Sequence, residues 1–193
     1  MGEGLAEVMD GAQLRQALEA HHREAWGWAL ACCARHPADA ESVLHSAYLK
    51  ILEGRARYGG VSSFRTWLFA VVRNTARDHR RREWLARLRL ERHAESAPPQ
   101  AAHHFDDDVY RSQVQALFRR ALADLPRRQR EALQLVFYHD LSIAEAAEVM
   151  GVSIGSARTH YERGKRQLRR LLIESGVTDE RQLGRAENQA MVP

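Results

Sequence analysis

At 193 residues, with 45% hydrophobic and 28% charged residues, the chain can hold one domain or two small ones and has an ordinary globular composition. Its apolar runs are broken by Arg or Glu well short of bilayer length, and the stretch from Met1 to Gln13 lacks basic and apolar signal regions, so neither membrane insertion nor export is expected and a cytoplasmic location is. The net charge of +4 is modest, but Arg73 to Arg92 holds eight arginines against Asp78, Glu83 and Glu91, and Gly151 to Leu172 holds six basic residues against Glu162 alone. Such local excess favours phosphate as a partner.

Taken in chain order, residues 1–19 read as an N-terminal extension. Helical periodicity runs over about 12–35, 37–54 and 62–82, with a weaker continuation to 92, and strand-like alternation is absent. Pro37 and Asp39 mark the start of the second helix; Gly54, Tyr58, Gly59 and Gly60 break the chain before Ser62 or Ser63 caps the third. In that third helix Phe64, Trp67, Leu68, Ala70 and Val71 are spaced for a core face. Arg65, Arg73, Asn74, Arg77, Arg80 and Arg81 are expected on the accessible side. Residues 20–92 thus form a first small helical domain. Cys32 and Cys33 are adjacent, cannot close a useful loop and are expected to fill the core.

Residues 93–109 lose periodicity and carry Pro98, Pro99 and the cluster Asp106-Asp107-Asp108, the marks of a flexible linker. A second helical domain follows over 110–173, interrupted at Asp124-Leu125-Pro126, and a polar tail occupies 174–193. Within it, Leu141 to Leu172 reads as a helix-turn-helix. Ser142 is placed to cap a short helix with Ala144, Ala147 and Val149 inward, Gly151 supplies the turn, and Ser153 opens the next helix with Ala157 at the helix crossing. Ser153, Ser156, Arg158, Thr159, His160, Arg163 and Arg166 then face outward, suited to a major groove. A plain helical hairpin with a solvated basic face is the rival reading, opposed by the one-sided charge.

No phosphate-binding, nucleophile-elbow or zinc-protease motif occurs, and the histidines and cysteines lack metal-ligand spacing. No catalytic residue, metal site or cofactor is therefore expected.

On these motifs the chain resembles the bacterial RNA polymerase sigma factors of the sigma-70 family, specifically the two-domain extracytoplasmic-function group. PADAESVLHSAYLKIL and SSFRTWLFAVVRNTARDHRRR are similar to regions 2.2 and 2.3 to 2.4, and LPRRQREALQLVFYHDLSIAEAAEVMGVSIGSARTHYERGKRQLRRLL is similar to region 4. The resemblance implies an all-α fold of two helical domains and a non-catalytic subunit that joins core RNA polymerase through its clamp and flap. It implies that residues 110–173 read the −35 element of promoter DNA and that Tyr58, Phe64, Arg65, Arg73, Asn74, Arg77, Arg80 and Arg81 serve the −10 element. A flipped base would lie in a pocket made by the Tyr58-to-Ser63 loop and Asn74, with Tyr58 and Phe64 as stacking candidates. Tyr58, beside two glycines, is expected to be exposed and Trp67 to be core.

The polymerase-facing run implied by the resemblance is Asp39, Glu41, Ser42, His45, Ser46 and Leu49. Here Ser42 and Ser46 stand where family members commonly carry acids, and His45 where they carry Gln. Phosphorylation of Ser42 and Ser46 would restore negative charge, which makes a serine/threonine kinase a candidate regulator beside an anti-sigma factor. The competing function is a non-sigma helix-turn-helix regulator that binds an operator by itself; SFRTWL and RNTARDHRRR in the first domain favour the sigma reading.

Overall fold

The computed structural model describes residues 9–91 and 109–175. All regular structure among them is helical, and the chain divides into two units, Met1–His103 and His104–Pro193. The expected linker, apart from Val109, and the tail from residue 176 onward lie outside the described residues.

The first unit contains α1 (Gly11–Ala20), α2 (His22–Cys32), α3 (Pro37–Leu52) and α4 (Phe64–Glu91). Its first helix begins within the stretch read as an extension, because Asp10 builds a capping box: its carboxylate accepts the N–H groups of Ala12 and Gln13 at 2.7 and 2.8 Å while the Gln13 side chain accepts the Asp10 N–H at 2.9 Å. The bonds from Gln13 and Ala12 hold the Asp10 carboxyl below its ordinary range.

One continuous helix was expected over 12–35, but the chain leaves helical geometry at His21 (φ −103°, ψ 7°), whose ring stacks on Phe64 with centroids 5.9 Å apart. The second helix also ends early. Ala34 and Arg35 adopt left-handed φ values of 52° and 63°, and the Arg35 N–H returns to the Leu30 carbonyl at 2.8 Å, closing the helix as a glycine would. Pro37 then starts α3 where a missing N–H costs nothing, and Ser63 caps α4 by accepting the Thr66 N–H at 3.1 Å.

Trp28 is the centre of this unit. Its side chain is fully buried, its ring stacks on Phe69 at 5.9 Å, and its indole N–H donates to the Phe69 carbonyl at 3.0 Å. That bond gives α4 one fixed rotation against α2. The buried face of α4 is therefore Leu68, Phe69, Val72 and Ala76 with Thr66, Arg73 and Thr75, whereas Phe64, Trp67, Ala70 and Val71, expected as core, are half-buried at its edge. Cys32 and Cys33 are buried free thiols; burial, with the Asp39 carboxylate nearby, pushes the Cys33 thiol up to about 11.

The second unit contains α5 (Val109–Ala123), α6 (Arg127–Leu133), a π-helical turn at Gln134–Tyr138, α7 (Ile143–Met150) and α8 (Ile154–Glu174). Phe118, Leu122, Leu125, Leu133, Leu168 and Leu172 make its core. The arginines of the LPRRQRE segment are spent on the scaffold. Arg130 donates to the Ala123 carbonyl at 2.8 Å, Arg128 to the Met150 carbonyl at 3.0 Å, and Arg127 pairs with buried Glu131 at 2.8 Å.

Helices α6 and α8 pack tightly at Gly164, where a β-carbon would lie 3.1 Å from both the Gln129 carbonyl oxygen and Leu133 Cδ1. We predict that Gly164→Val lowers stability by about 1–3 kcal/mol in thermal unfolding. Gly155→Val, at a position on the same helix with no neighbour within 4 Å, should change it far less. Equal effects would show that the crossing does not govern packing.

Candidate nucleic-acid interface

The helix-turn-helix follows from a few local bonds. Ser142 forms a capping box with Glu145, accepting its N–H at 3.2 Å while the Ser142 N–H donates to Oε2 at 2.9 Å. Ala146, Ala147, Val149 and Met150 are buried. Ala144, expected inward, is exposed, because the inward stripe of this short helix is set by Ala146 and Met150. Gly151 takes φ +61°, its N–H donates to the Glu148 carbonyl at 3.0 Å, and Ser153 caps α8 through the Ser156 N–H at 3.2 Å. Ala157 is buried at the crossing, as expected.

With that side fixed inward, Ser153, Ser156, Arg158, Thr159, Arg163 and Arg166 are exposed and His160 is half-buried. Helical spacing divides them. Ser156, Thr159, His160, Arg163 and Arg166 share one face, while Arg158 lies on a flank with Lys165 and Arg169. The Thr159 hydroxyl donates back to the Gly155 carbonyl at 2.9 Å, leaving its methyl group and lone pairs outward. Arg163, Arg166 and Arg170, with Gln129 and Gln167, line an open groove of about 380 Å³ between α6 and α8, an electropositive depression.

In the first unit the basic residues of α4 do not share one surface. Asn74, Arg77 and Arg81 are exposed. Arg73 is only 4% exposed, a correction to its expected accessible position: it lies next to Val72 on the side of α4 that Phe69 turns inward. Arg65 is half-buried and pairs with Glu24 at 2.6 Å, and Arg80 donates to the Cys32 carbonyl at 2.8 Å, tying α4 to the end of α2.

Tyr58, expected to be exposed, is half-buried. Its hydroxyl donates to the Ser62 carbonyl at 2.5 Å, and its ring meets Phe64 at 5.5 Å and Trp67 at 5.4 Å, while Phe64 and Trp67 lie 5.2 Å apart. Trp67, read from the sequence as core, is half-buried and joins this aromatic cluster. It precedes Asn74 by seven residues, hence lies on the same face of α4 about 10 Å away along the axis. The available signal was the run Trp67, Asn74, Arg81 at a spacing of seven, masked by the habit of assigning tryptophan to a core.

On α3, Glu41, Ser42, His45 and Leu49 are exposed, whereas Asp39 and Ser46 are half-buried. The Ser42 hydroxyl donates to the Ala38 carbonyl at 2.9 Å. Leu52, 52% exposed, extends the apolar strip begun by Leu49 and was not singled out from sequence.

Comparison with known proteins agrees with this geometry. The model for sigma-70 region 2 matches residues 17–86 and that for sigma-70 region 4 matches residues 115–168. The chain is 32% identical over 166 residues to RNA polymerase sigma factor CarQ of Myxococcus xanthus, spanning 86% of this chain and 93% of that protein. It is 33% identical over 133 residues to ECF RNA polymerase sigma factor SigF of Caulobacter vibrioides (strain NA1000 / CB15N), covering 68% of this chain and 70% of SigF. Among solved structures, the sigma factor RpoE in complex with the anti-sigma factor NepR from Bartonella quintana shares its fold, with TM-score 0.63, 23% identity and coverage of 82% and 95% of the two chains. CnrH in complex with the cytosolic domain of CnrY is similar in fold at TM-score 0.58 and 22% identity, covering 86% and 90%. Neither matching family model is catalytic, and among the described residues no helix is long and apolar enough to cross a membrane.

Proposed function

Because this chain belongs to the sigma-70 family of RNA polymerase sigma factors, in its extracytoplasmic-function group, we propose that its two units divide one promoter between them, α8 reading the −35 element as duplex and the Tyr58-to-Arg81 surface holding the opened −10 strand. As a sigma factor it binds core RNA polymerase and directs promoter recognition and initiation. The observation that carries the division is the contrast between the two surfaces. One is a basic helix, presented by a helix-turn-helix, whose half-buried Tyr161 packs on Phe137 of its own unit under Lys165. The other sets an aromatic cluster beside an exposed asparagine and two arginines. Duplex edges need donors in a groove, whereas unstacked bases need ring faces.

The polymerase contact is assigned to α3, with Asp39, Glu41, Ser42, His45, Ser46 and Leu49 toward the clamp and the second unit toward the flap. Activity is therefore placed in the cytoplasm, where core polymerase is. The complexes of RpoE with NepR and of CnrH with CnrY support an anti-sigma partner for this chain as well. The exposed Ser42 hydroxyl also supports a kinase as an input: a phosphate there would add about −1.5 to −2 charge to a face that otherwise offers Asp39 and Glu41.

Three measurements test these assignments. Arg163→Ala, on the shared face, should weaken binding to the cognate −35 duplex by about 1–3 kcal/mol and relax sequence preference, whereas Arg158→Ala, on the flank, should weaken binding to all duplexes alike; unchanged affinity and unchanged sequence preference in both would remove α8 from the readout. Asn74→Ala and Trp67→Ala should reduce permanganate reactivity of the melted region more than closed-complex formation, and intact footprints would place the strand elsewhere. For the kinase input, Ser42→Glu should raise affinity for core polymerase above that of Ser42→Ala. Equal tight binding by the wild-type, Ala and Glu proteins contradicts it.

A further inference from the structure

Beside the polymerase-facing end of α3, Asp39 is joined by two residues of α4 in a way that neither the sequence spacing nor the sigma-factor function accounts for. His79 Nε2 lies 3.6 Å from Asp39 Oδ1 and 3.4 Å from Glu83 Oε1. All three ligand-capable atoms fall within 4.8 Å of one another. His79 Nε2 is enclosed by protein and makes no hydrogen bond, and its separations from the two carboxylates are those of ion pairs, longer than an ordinary hydrogen bond. They do match another geometry: donor atoms bound at about 2.0–2.1 Å to one tetrahedral cation stand about 3.4 Å apart.

We propose that Asp39, His79 and Glu83 form a binding site for a divalent transition-metal cation of the Zn²⁺ class, with one imidazole nitrogen and two carboxylate oxygens as protein ligands and water in the remaining position. A single imidazole with two carboxylates is a borderline donor set that suits Zn²⁺ better than the all-oxygen shell Ca²⁺ or Mg²⁺ prefers. His79 and Glu83, one helical turn apart on α4, present a pair to the same point, and Asp39 closes it from α3. The three side chains are half-buried, His79 being 23% exposed, Asp39 35% and Glu83 36%, so the cluster is open enough for water to complete a coordination shell. Of the neighbouring basic groups, the Arg80 guanidinium is directed to the Cys32 carbonyl at 2.8 Å, and His36 Nδ1 stands 3.9 Å from the second Asp39 oxygen, Oδ2.

A cation there would tie α3 to α4 and neutralise Asp39. That second consequence bears on polymerase affinity only through the assignment of Asp39 to the clamp face; the binding of metal does not depend on it.

The test is calorimetric titration of the metal-free full chain with Zn²⁺, paired with the visible spectrum of the Co²⁺ form. We expect one ion per chain, intense tetrahedral Co²⁺ bands, and affinities at least about tenfold weaker in His79→Ala and Glu83→Gln. Asp39→Asn should behave alike, and His22→Ala, at a histidine of the same unit outside the cluster, should bind as the wild type does. Should His79→Ala fail to fold, as judged by its far-UV spectrum, the Glu83→Gln and Asp39→Asn proteins decide the matter. Failure of the wild type to bind either ion, or binding by Glu83→Gln and Asp39→Asn as tight as that of the wild type, would overturn the site whatever the outcome of the promoter experiments.

Discussion

The indole N–H of Trp28, bonded to the Phe69 carbonyl at 3.0 Å, is the contact on which the first unit depends. It joins a buried donor to a backbone acceptor of α4, so slipping that helix by one residue or rotating it leaves a polar group buried without a partner, at a cost of about 1–3 kcal/mol. Ring stacking of Trp28 on Phe69 adds a second restraint on the same rotation. With Phe69 and Val72 inward, helical geometry dictates that Trp67, Asn74, Arg77 and Arg81 run along another side. The surface assigned to the −10 strand is a consequence of how one tryptophan is buried.

The second unit reaches a comparable result by a different route. There the restraint is steric: Gly164 lets α8 approach α6 to a distance that a β-carbon would contest. Ala157 serves the same purpose where α8 crosses α7. Small residues on one side of α8 thereby leave its arginines on the other, and the three arginines that begin α6 are consumed by carbonyls and by Glu131. Basic residues in this unit thus belong to two populations, scaffold and surface, although composition alone treats them alike. Only the second population is available to attract an anionic partner from solution.

Much of this was legible beforehand, and the failures have physical causes. The helix-turn-helix could be read because its signals are local: a capping serine with Glu145 three residues on, a glycine at a left-handed position, and a second capping serine. The all-helical class followed from periodicity. The break at His21 and the stop after Cys32 were not visible, because the first coincides with a ring stacked on Phe64 far along the chain and the second uses Ala34 and Arg35 in conformations typical of glycine. Arg73 was misplaced for a related reason. A periodic pattern gives the spacing of a face but its phase comes from the partner, and Phe69, which sets that phase, was not among the residues read as core. The Asp39, His79 and Glu83 cluster needed two helices to meet before its spacing meant anything.

The most direct test of the account is to add the purified chain to core RNA polymerase and map the 5′ ends of transcripts made from fragmented genomic DNA of the source bacterium. A sigma factor whose two units read two elements should direct initiation at a restricted set of sites that share one upstream block and one block at the start-proximal end, separated by a narrow range of lengths. Start sites without such paired blocks, or no increase in specific initiation over core enzyme alone, would contradict it.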